Sequence, residues 1–185
     1  MEIRRLEKEQ YAGKKFTACY RTSGYYDIGA SDSGFSMVYV PLEAPVLKSF
    51  EDTFFGEWLE EPMAFGAWEG ENLVGFAEGS REGWNNRFRI SNICVFDHSV
   101  RGHGVGTALM KVITEAAVAA GSRMIVLETQ SCNEAAIAFY RKNGFSVIGF
   151  DLYAYSNCDP ERHEIRVEMG KKLDFQERGY QDIVI

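Results

Sequence analysis

The sequence predicts a mixed α/β fold in which a central β-sheet is flanked by helices on both faces. Two stretches carry apolar residues at helical spacing, and several others have the alternating or continuous apolar pattern of strands. Each predicted helix follows a predicted buried strand, an order typical of helices packed on a sheet. At 185 residues, the chain suits a single substantial core, so we expect one domain over residues 1–185.

The N-terminal third has the weakest patterns. "EIRRL" at 2–6 predicts a short strand, and the stretch from there to about Tyr26 predicts a helix that two glycines weaken. Turn-forming residues predict a loop over 27–36. Residues 41–61 hold six acids, one lysine and interleaved aromatic residues. This last stretch predicts either an amphipathic surface segment or a lid over a cation site.

Strand patterns dominate from residue 63 onwards. "MAFGAW" at 63–68 and "LVGFAE" at 73–78 flank a four-residue turn and predict a hairpin. Residues 87–96 have apolar side chains on both sides, which predicts a central strand buried on two faces. The apolar run at 123–129 predicts another buried strand, and the alternation at 164–169 predicts a half-buried one.

The two helices are defined by their apolar periodicity and by their ends. The first has an apolar stripe from Val105 to Ala120, and Gly121 follows it as a C-cap glycine would. The second begins at Asn133, a favourable N-cap residue, and ends at the Asn-Gly pair 143–144.

Composition and charge exclude several classes of protein. The net charge is −7, and a sequence-independent nucleic-acid binder needs a basic footprint, so we expect no nucleic-acid partner. No window reaches the roughly 18 apolar residues of a membrane span, and "MEIRRLEKEQ" lacks the apolar segment of a secretory signal. We therefore expect a cytoplasmic protein with no membrane partner, whose four cysteines are thiols. The histidines have no metal-ligand spacing, and no metal is expected.

The stretch "RGHGVG" at 101–106 joins a predicted buried strand to the first helix. A Walker loop needs a lysine after its last glycine, and a dinucleotide fingerprint needs GxGxxG; this stretch fits neither. What remains is Arg101-x-x-Gly104-x-Gly106, whose glycines let backbone N–H groups approach an anion at a helix N-terminus. On these residues alone, an anion site and an ordinary glycine-rich turn both stay open.

The loop resembles the R/Q-x-x-G-x-G/A motif of the GNAT acetyltransferase family. "NEAAIAFYRKNGF" at 133–145 resembles a second motif of that family, and the strand "ISNICV" stands before the loop as in the family. The resemblance spans about residues 62–150 and leaves the role of the tail, residues 171–185, undetermined. It implies the GNAT fold with a mixed, mostly antiparallel sheet, and acetyl-CoA as the co-substrate whose pyrophosphate the loop binds.

Within that family, the chain is most similar to the streptothricin and nourseothricin acetyltransferases. The similar stretches are "EAPVLKSF" at 43–50, "GWNNRF" at 83–88, "LETQSCNEAAIAFY" at 127–140 and "GFDLYAY" at 149–155. The resemblance implies transfer of acetyl to a primary amine of a cationic antibiotic. The alternatives are another amine (a polyamine, an aminoglycoside or a peptide N-terminus) and a non-catalytic acyl-CoA sensor. Homodimers are common in the family, so a homodimer is one expected assembly.

The resemblance also assigns residues to the cofactor. Tyr140 matches the tyrosine that protonates the CoA thiolate, and Asn133 matches an asparagine that contacts the cofactor but can equally be a pure helix cap. The backbone N–H of Cys94 or Val95 matches the position that meets the thioester carbonyl or the pantetheine. The pyrophosphate is expected on Val100, Arg101, Gly102, His103, Gly104, Val105 and Gly106.

The proton acceptor departs from the family pattern. Many relatives carry a carboxylate where this chain has Ser91 and Asn92, neither of which takes up a proton usefully near neutral pH. Glu128 is the leading replacement, with pairing to an arginine or capping of a turn as its alternative roles. Asp52 and Asp151 are weaker replacements, and a water-mediated route also stays open.

The acceptor pocket is expected to combine carboxylates with aromatic rings. Such a pocket binds a cation through ion pairing and cation–π contact. We expect Trp84, Asn85, Asp52 and Tyr153 to line it.

Overall fold

A computed structural model describes residues 1–96 and 102–173. The strands found there are β1 (Glu2–Arg5), β2 (Lys15–Ser31), β3 (Gly34–Thr53), β4 (Met63–Glu69), β5 (Asn72–Glu82), β6 (Arg87–Val95), β7 (Met124–Gln130), β8 (Ser146–Asp151) and β9 (Arg166–Lys172). The helices are α1 (Lys8–Tyr11), α2 (Val105–Ala119), α3 (Glu134–Lys142) and α4 (Asp159–Arg162). Within these described residues, no helix has the length and apolar character needed to cross a membrane.

Among the described residues, seven strands form one sheet in the order β1-β4-β5-β6-β7-β9-β8, and β2 and β3 form a separate hairpin. Every neighbouring pair in the sheet is antiparallel except β6 and β7, which lie parallel and are connected through α2. The predicted mixed, mostly antiparallel sheet is therefore confirmed. The two long helices and the strands predicted after residue 63 are found within a few residues of their predicted bounds.

The N-terminal third differs from the prediction. The helix predicted to about Tyr26 is restricted to the four residues of α1, and the loop predicted over 27–36 is reduced to a turn at residues 32–33. Residues 41–53, predicted as an amphipathic surface segment or a lid, belong to β3. The hairpin forms because β2 and β3 pair continuously apart from one register shift, and these backbone hydrogen bonds outweigh weak local preferences.

Two apolar clusters lie on opposite faces of the sheet. Adjacent β5 residues Phe76 and Ala77 point to opposite faces, and each belongs to a different cluster. Helices α2 and α3 contribute to the Ala77 cluster, where Ile137 of α3 is fully buried. On the other face, Phe76 packs with the base of the hairpin, and Tyr11 of α1 lies against Phe54 there.

Strands β6 and β7 separate towards their carboxyl ends. Their pairing ends at Ile90 and Leu127, whereas the strands continue to Val95 and Gln130. Beyond that point β6 remains paired with β5, and β7 remains paired with β9. The gap between them opens at the carboxyl ends of two parallel strands, which is where ligands bind in sheets of this kind.

Candidate active site

The glycine loop before α2 is open to an approaching anion. Gly102 and Gly104 have φ angles of +84° and +88°, and a Cβ built on either would meet nothing within 4 Å. Gly104 is the N-cap of α2 and offers no side-chain cap to the first N–H groups of the helix. His103, between the two glycines, is exposed. A helix terminus with open N–H groups and a positive dipole end fits a pyrophosphate.

The other residues predicted in this loop have different surroundings. The Val105 side chain is buried in the core, so its backbone is the part that can take part in anion binding. A Cβ on Gly106 would lie 3.4 Å from the ring of Phe139, which shows that α2 and α3 approach closely here. Val100 and Arg101 lie outside the described residues, and their expected contacts with the pyrophosphate stay predictions.

Asn133 is the N-cap of α3. Its side-chain oxygen accepts a hydrogen bond from the Ala136 N–H at 3.2 Å. In the first turn, Glu134 accepts hydrogen bonds from the Ser23 N–H at 2.6 Å and from the Tyr39 hydroxyl at 2.7 Å. Through these hydrogen bonds, the β2–β3 hairpin contacts the start of α3. The capping role of Asn133 is thus observed, and its contact with the cofactor stays a prediction.

Tyr140 lies on α3 with its ring against Phe139 and Phe145. Burial raises the pKa of Tyr140 well above its ordinary value, and the neighbouring Cys94 adds to the increase. The hydroxyl therefore keeps its proton at neutral pH, as a proton donor must. Cys94 belongs to the part of β6 that is not paired with β7, so the group that acts on the Tyr140 hydroxyl borders the gap.

Glu128 lies in a network of charged side chains on β6, β7 and β9. Its carboxylate is 3.5 Å from Arg166 Nη1 and 3.8 Å from Arg89 Nη1. The same two arginines approach Glu168 at 3.4 Å and 4.0 Å, and Arg89 Nε donates to Glu82 at 2.6 Å. Glu128 therefore has the arginine partners that the sequence left open as its alternative role. Its role as proton acceptor stays a prediction.

A different carboxylate, which the sequence did not single out, lies against Ser91. Glu78 on β5 is 1% exposed, and it faces the register shift at which Ser91 is the extra residue of β6. Its Oε1 accepts a hydrogen bond from the Ser91 hydroxyl at 3.0 Å, and its Oε2 accepts one from the Phe55 N–H at 2.6 Å. Beside them, Asn92 Nδ2 donates to Asp52 Oδ2 at 3.2 Å.

Glu78 and Asp52 thus bring carboxylates from β5 and β3 to the two β6 positions that lack one. Burial raises the pKa of Glu78, and the charge of Asp52 adds to the increase. Hydrogen bonds from Phe55, Ser91 and Asn92 act in the opposite direction without cancelling it. The signal in the sequence was a glutamate within the otherwise uncharged stretch 73–80 of this strand.

The residues predicted for the acceptor pocket lie on different elements, and no contact seen among the described residues joins all of them. Trp84 and Asn85 lie in the turn before β6, roughly 26 Å along that strand from Val95 at about 3.3 Å per residue. Trp84 is 85% exposed, and Asn85 donates to Glu82 at 3.2 Å. Tyr153 lines a surface cleft of about 540 Å³. Of the predicted set, Asp52 is the residue that contacts the β6 segment beside the gap.

The hairpin crosses the gap from one side to the other. On one side, Asp52 is bound to Asn92 of β6. On the other side, the Tyr20 hydroxyl donates to Gln130 at the end of β7 at 2.7 Å. A cleft of about 320 Å³ lies beside this second contact, and its lining includes Tyr20, Gln130 and the ion pair of Lys48 with Glu164. The hairpin therefore covers the ends of both parallel strands.

Several known proteins are similar to this chain in sequence and in structure. The profile of the acetyltransferase (GNAT) family matches residues 33–145. A streptothricin acetyltransferase of Streptomyces lavendulae is 30% identical over 159 residues, which are 81% of this chain and 84% of that protein. A streptothricin acetyltransferase of Escherichia coli is 32% identical over 130 residues, which are 70% of this chain and 72% of that protein. The crystal structure of a nourseothricin acetyltransferase has a TM-score of 0.75 and 29% identity, covering 92% of this chain and 97% of that one.

The family match extends over more than half of the chain and includes the glycine loop, α2 and all of α3 with Tyr140. Members of the family use acetyl-CoA, and the open N-terminus of α2 beside the gap between β6 and β7 suits its pyrophosphate. The chain belongs to the GNAT acetyltransferase family and is an acetyl-CoA-dependent N-acetyltransferase.

Proposed function

We propose that this enzyme acetylates a primary amine of streptothricin or a closely related cationic antibiotic. The observation that carries the proposal is the extent of the similarity to acetyltransferases named for these antibiotics. The alignments cover 81% of the chain in one case and 92% in another. Similarity of this extent includes segments outside the common cofactor motifs, and such segments are where acceptor specificity resides.

The charge near the gap supports a cationic acceptor. The net charge of the chain is −7, which favours the approach of a cation through long-range attraction. Close to the gap, Asp52 is half-buried and its side-chain partner is the uncharged amide of Asn92. An ammonium group arriving there would find a carboxylate that no arginine or lysine neutralises in the contacts of the described residues.

The reaction requires two protons to leave the acceptor nitrogen. For an alkyl amine whose ammonium form has a pKa near 10.4, roughly one molecule in 2,500 is neutral at pH 7. Forming the neutral amine therefore costs about 4.6 kcal/mol. Acetyl-CoA supplies the activated acyl group. Tyr140 holds a proton that it can give to the leaving thiolate, and a backbone N–H of Cys94 or Val95 would polarise the carbonyl. One of the two protons that leave the nitrogen restores the Tyr140 hydroxyl. A second group must accept the other proton, which finally reaches solvent.

Release of CoA thiol with a panel of amines tests the acceptor. Streptothricin would be compared with spermidine, an aminoglycoside and a lysine-containing peptide at equal acetyl-CoA. We expect kcat/KM for streptothricin to exceed that for the other amines by at least about a hundredfold. A higher value for another amine would replace the acceptor assignment. Binding of acetyl-CoA with no thiol release from any amine would favour the non-catalytic sensor instead.

A further inference from the structure

We propose that Glu78, acting through the hydroxyl of Ser91, is the proton acceptor for the amine during acetyl transfer. The inference concerns the N-acetyltransferase reaction itself and rests on the proposed acceptor only for the choice of assay amine. The proton-accepting carboxylate then lies on β5, whereas the family resemblance predicts one on β6. Neither Ser91 nor Asn92 can accept the amine proton alone.

The register of β5 and β6 brings the two residues together. Glu78 pairs with Asn92 and Gly79 pairs with Ile90, so Ser91 is bulged out between two pairs. Bulges re-aim side chains and occur beside active sites. Here the hydroxyl of Ser91 lies 3.0 Å from Glu78 Oε1. Ser91 is half-buried whereas Glu78 is 1% exposed, so Ser91 is the more accessible member of the pair.

The geometry supports a proton relay with a simple balance. Ser91 Oγ donates its proton to Glu78 Oε1 and accepts a proton from the ammonium group of the acceptor. One N–H bond breaks, one O–H bond forms on the Glu78 carboxyl, and the serine hydroxyl is restored. The nitrogen keeps the electron pair, which then forms the bond to the acetyl carbonyl carbon. Glu78 returns the proton to solvent between turnovers.

The surroundings of Glu78 suit this task better than those of Glu128. The carboxylate of Glu128 is engaged by Arg89 and Arg166 within an ion-pair network. Glu78 is faced instead by the Phe55 N–H after β3, the Asp52 carboxylate on β3, and the Ser91 hydroxyl and Asn92 amide on β6. Burial and Asp52 both raise the pKa of Glu78, which brings it closer to the operating pH of a proton acceptor.

The pH dependence of kcat/KM tests the relay. We expect wild-type activity to fall on the acid side with an apparent pKa above the ordinary range of carboxyl groups. Glu78→Gln, which keeps size and an acceptor oxygen for the Phe55 N–H, should lose this acid limb. At neutral pH its kcat/KM should be lower by about 100-fold or more, the usual contribution of general base catalysis. Ser91→Ala should lose a similar factor and Ser91→Thr, which keeps the hydroxyl, should retain activity.

Matched variants separate this role from a structural one. Glu82→Gln changes a glutamate on the same strand and face that is bound to Arg87 and Arg89, and it should keep the acid limb. An acceptor amine of lower pKa should reduce the penalty of Glu78→Gln, because less proton removal is needed. A general packing defect would reduce the rates for both amines equally. Unchanged acetyl-CoA affinity in Glu78→Gln shows that the cofactor site is intact.

Several results would overturn the proposal. One such result is a Glu78→Gln variant that keeps the acid limb and has activity within about threefold of the wild type. Another is loss of the acid limb in Glu128→Gln instead of in Glu78→Gln. If Glu78→Gln does not fold, Ser91→Ala decides, since full activity in that variant removes the relay. Failure with streptothricin alone refutes only the acceptor assignment, and the profiles are then measured with whichever amine releases CoA.

Discussion

Glu78 and Ser91 face each other across the β5–β6 pair, with Oε1 and Oγ 3.0 Å apart, at the point where the register shifts by one residue. The contact joins a fully buried carboxylate to the strand segment that borders the gap. It also explains how a chain with Ser91 and Asn92 in place of a β6 carboxylate can still have one at the same location. The pKa of that carboxyl group is raised by burial, which has consequences for stability.

The stability of the wild type should fall as pH rises through the titration of Glu78. Its pKa is higher in the folded state, so the native state binds more protons than the unfolded state over that interval, and stability decreases with pH. Glu78→Gln removes this dependence. We expect the difference in unfolding free energy between Glu78→Gln and wild type to grow in favour of the variant as the pH rises above the ordinary carboxyl pKa of 4.5. Urea denaturation at several pH values measures it; a difference that does not change with pH would contradict it.

Tyr140→Phe should lower kcat by at least about tenfold, because the leaving thiolate loses its proton donor. The affinity for acetyl-CoA should stay nearly unchanged, since the buried ring keeps its contacts with Phe139 and Phe145. Steady-state kinetics and a direct binding titration measure both quantities. Tyr11→Phe, on the far side of the sheet, is the control and should retain activity. Full activity in Tyr140→Phe would show that another group protonates the thiolate.

Gly104→Ala should weaken acetyl-CoA binding. Gly104 and Gly70 both have positive φ and open space around a built Cβ, so alanine at either costs about 1–2 kcal/mol through backbone conformation alone. Only Gly104 lies at the N-terminus of α2. We expect a similar loss of stability in both variants and a Kd for acetyl-CoA raised by at least about tenfold only in Gly104→Ala. Equal affinities in the two variants would contradict the assignment of the loop.

Substitutions of Asn133 separate its two roles. Asn133→Ala removes the hydrogen bond to Ala136 and should cost about 1 kcal/mol of stability, whereas Asn133→Ser keeps a capping oxygen and should cost less. If Asn133 also contacts the cofactor, both variants should raise the KM for acetyl-CoA. Thermal unfolding and initial rates give the two readings. An unchanged KM in both variants would leave Asn133 as a cap alone.

The sequence predicted those elements whose apolar residues face one core. The stripe along α2 and the apolar run of β7 are examples, and their buried residues are in the structure as expected. Strand β6, predicted to be buried on two faces, instead alternates buried residues such as Phe88 and Ile90 with half-buried ones. Strand β3 has no fully buried residue, and Phe35 and Leu47 on it are largely exposed. A strand with neither face buried has no period for sequence patterns to detect. The hairpin that covers the gap was therefore missed.

The candidate site was predicted in part for a related reason. The cofactor loop and Tyr140 lie in continuous motifs, so their positions could be read along the chain. The contact of Glu78 with Ser91 depends on the register of two strands and on one bulged residue, which the local sequence does not specify. Trp84 and Asn85 resemble residues of related enzymes, yet the turn that carries them lies at the opposite end of β6 from the cofactor loop.

A single-turnover reaction with acetyl-labelled acetyl-CoA and streptothricin tests the central claim most directly. Direct attack by the acceptor amine predicts that the label passes to a nitrogen of streptothricin as CoA thiol appears, with equal amounts of the two products and no labelled protein. Mass spectrometry of the small molecules and of the intact chain measures all three. Label that stays on CoA, or that accumulates on the protein before any product forms, would contradict direct transfer to this acceptor.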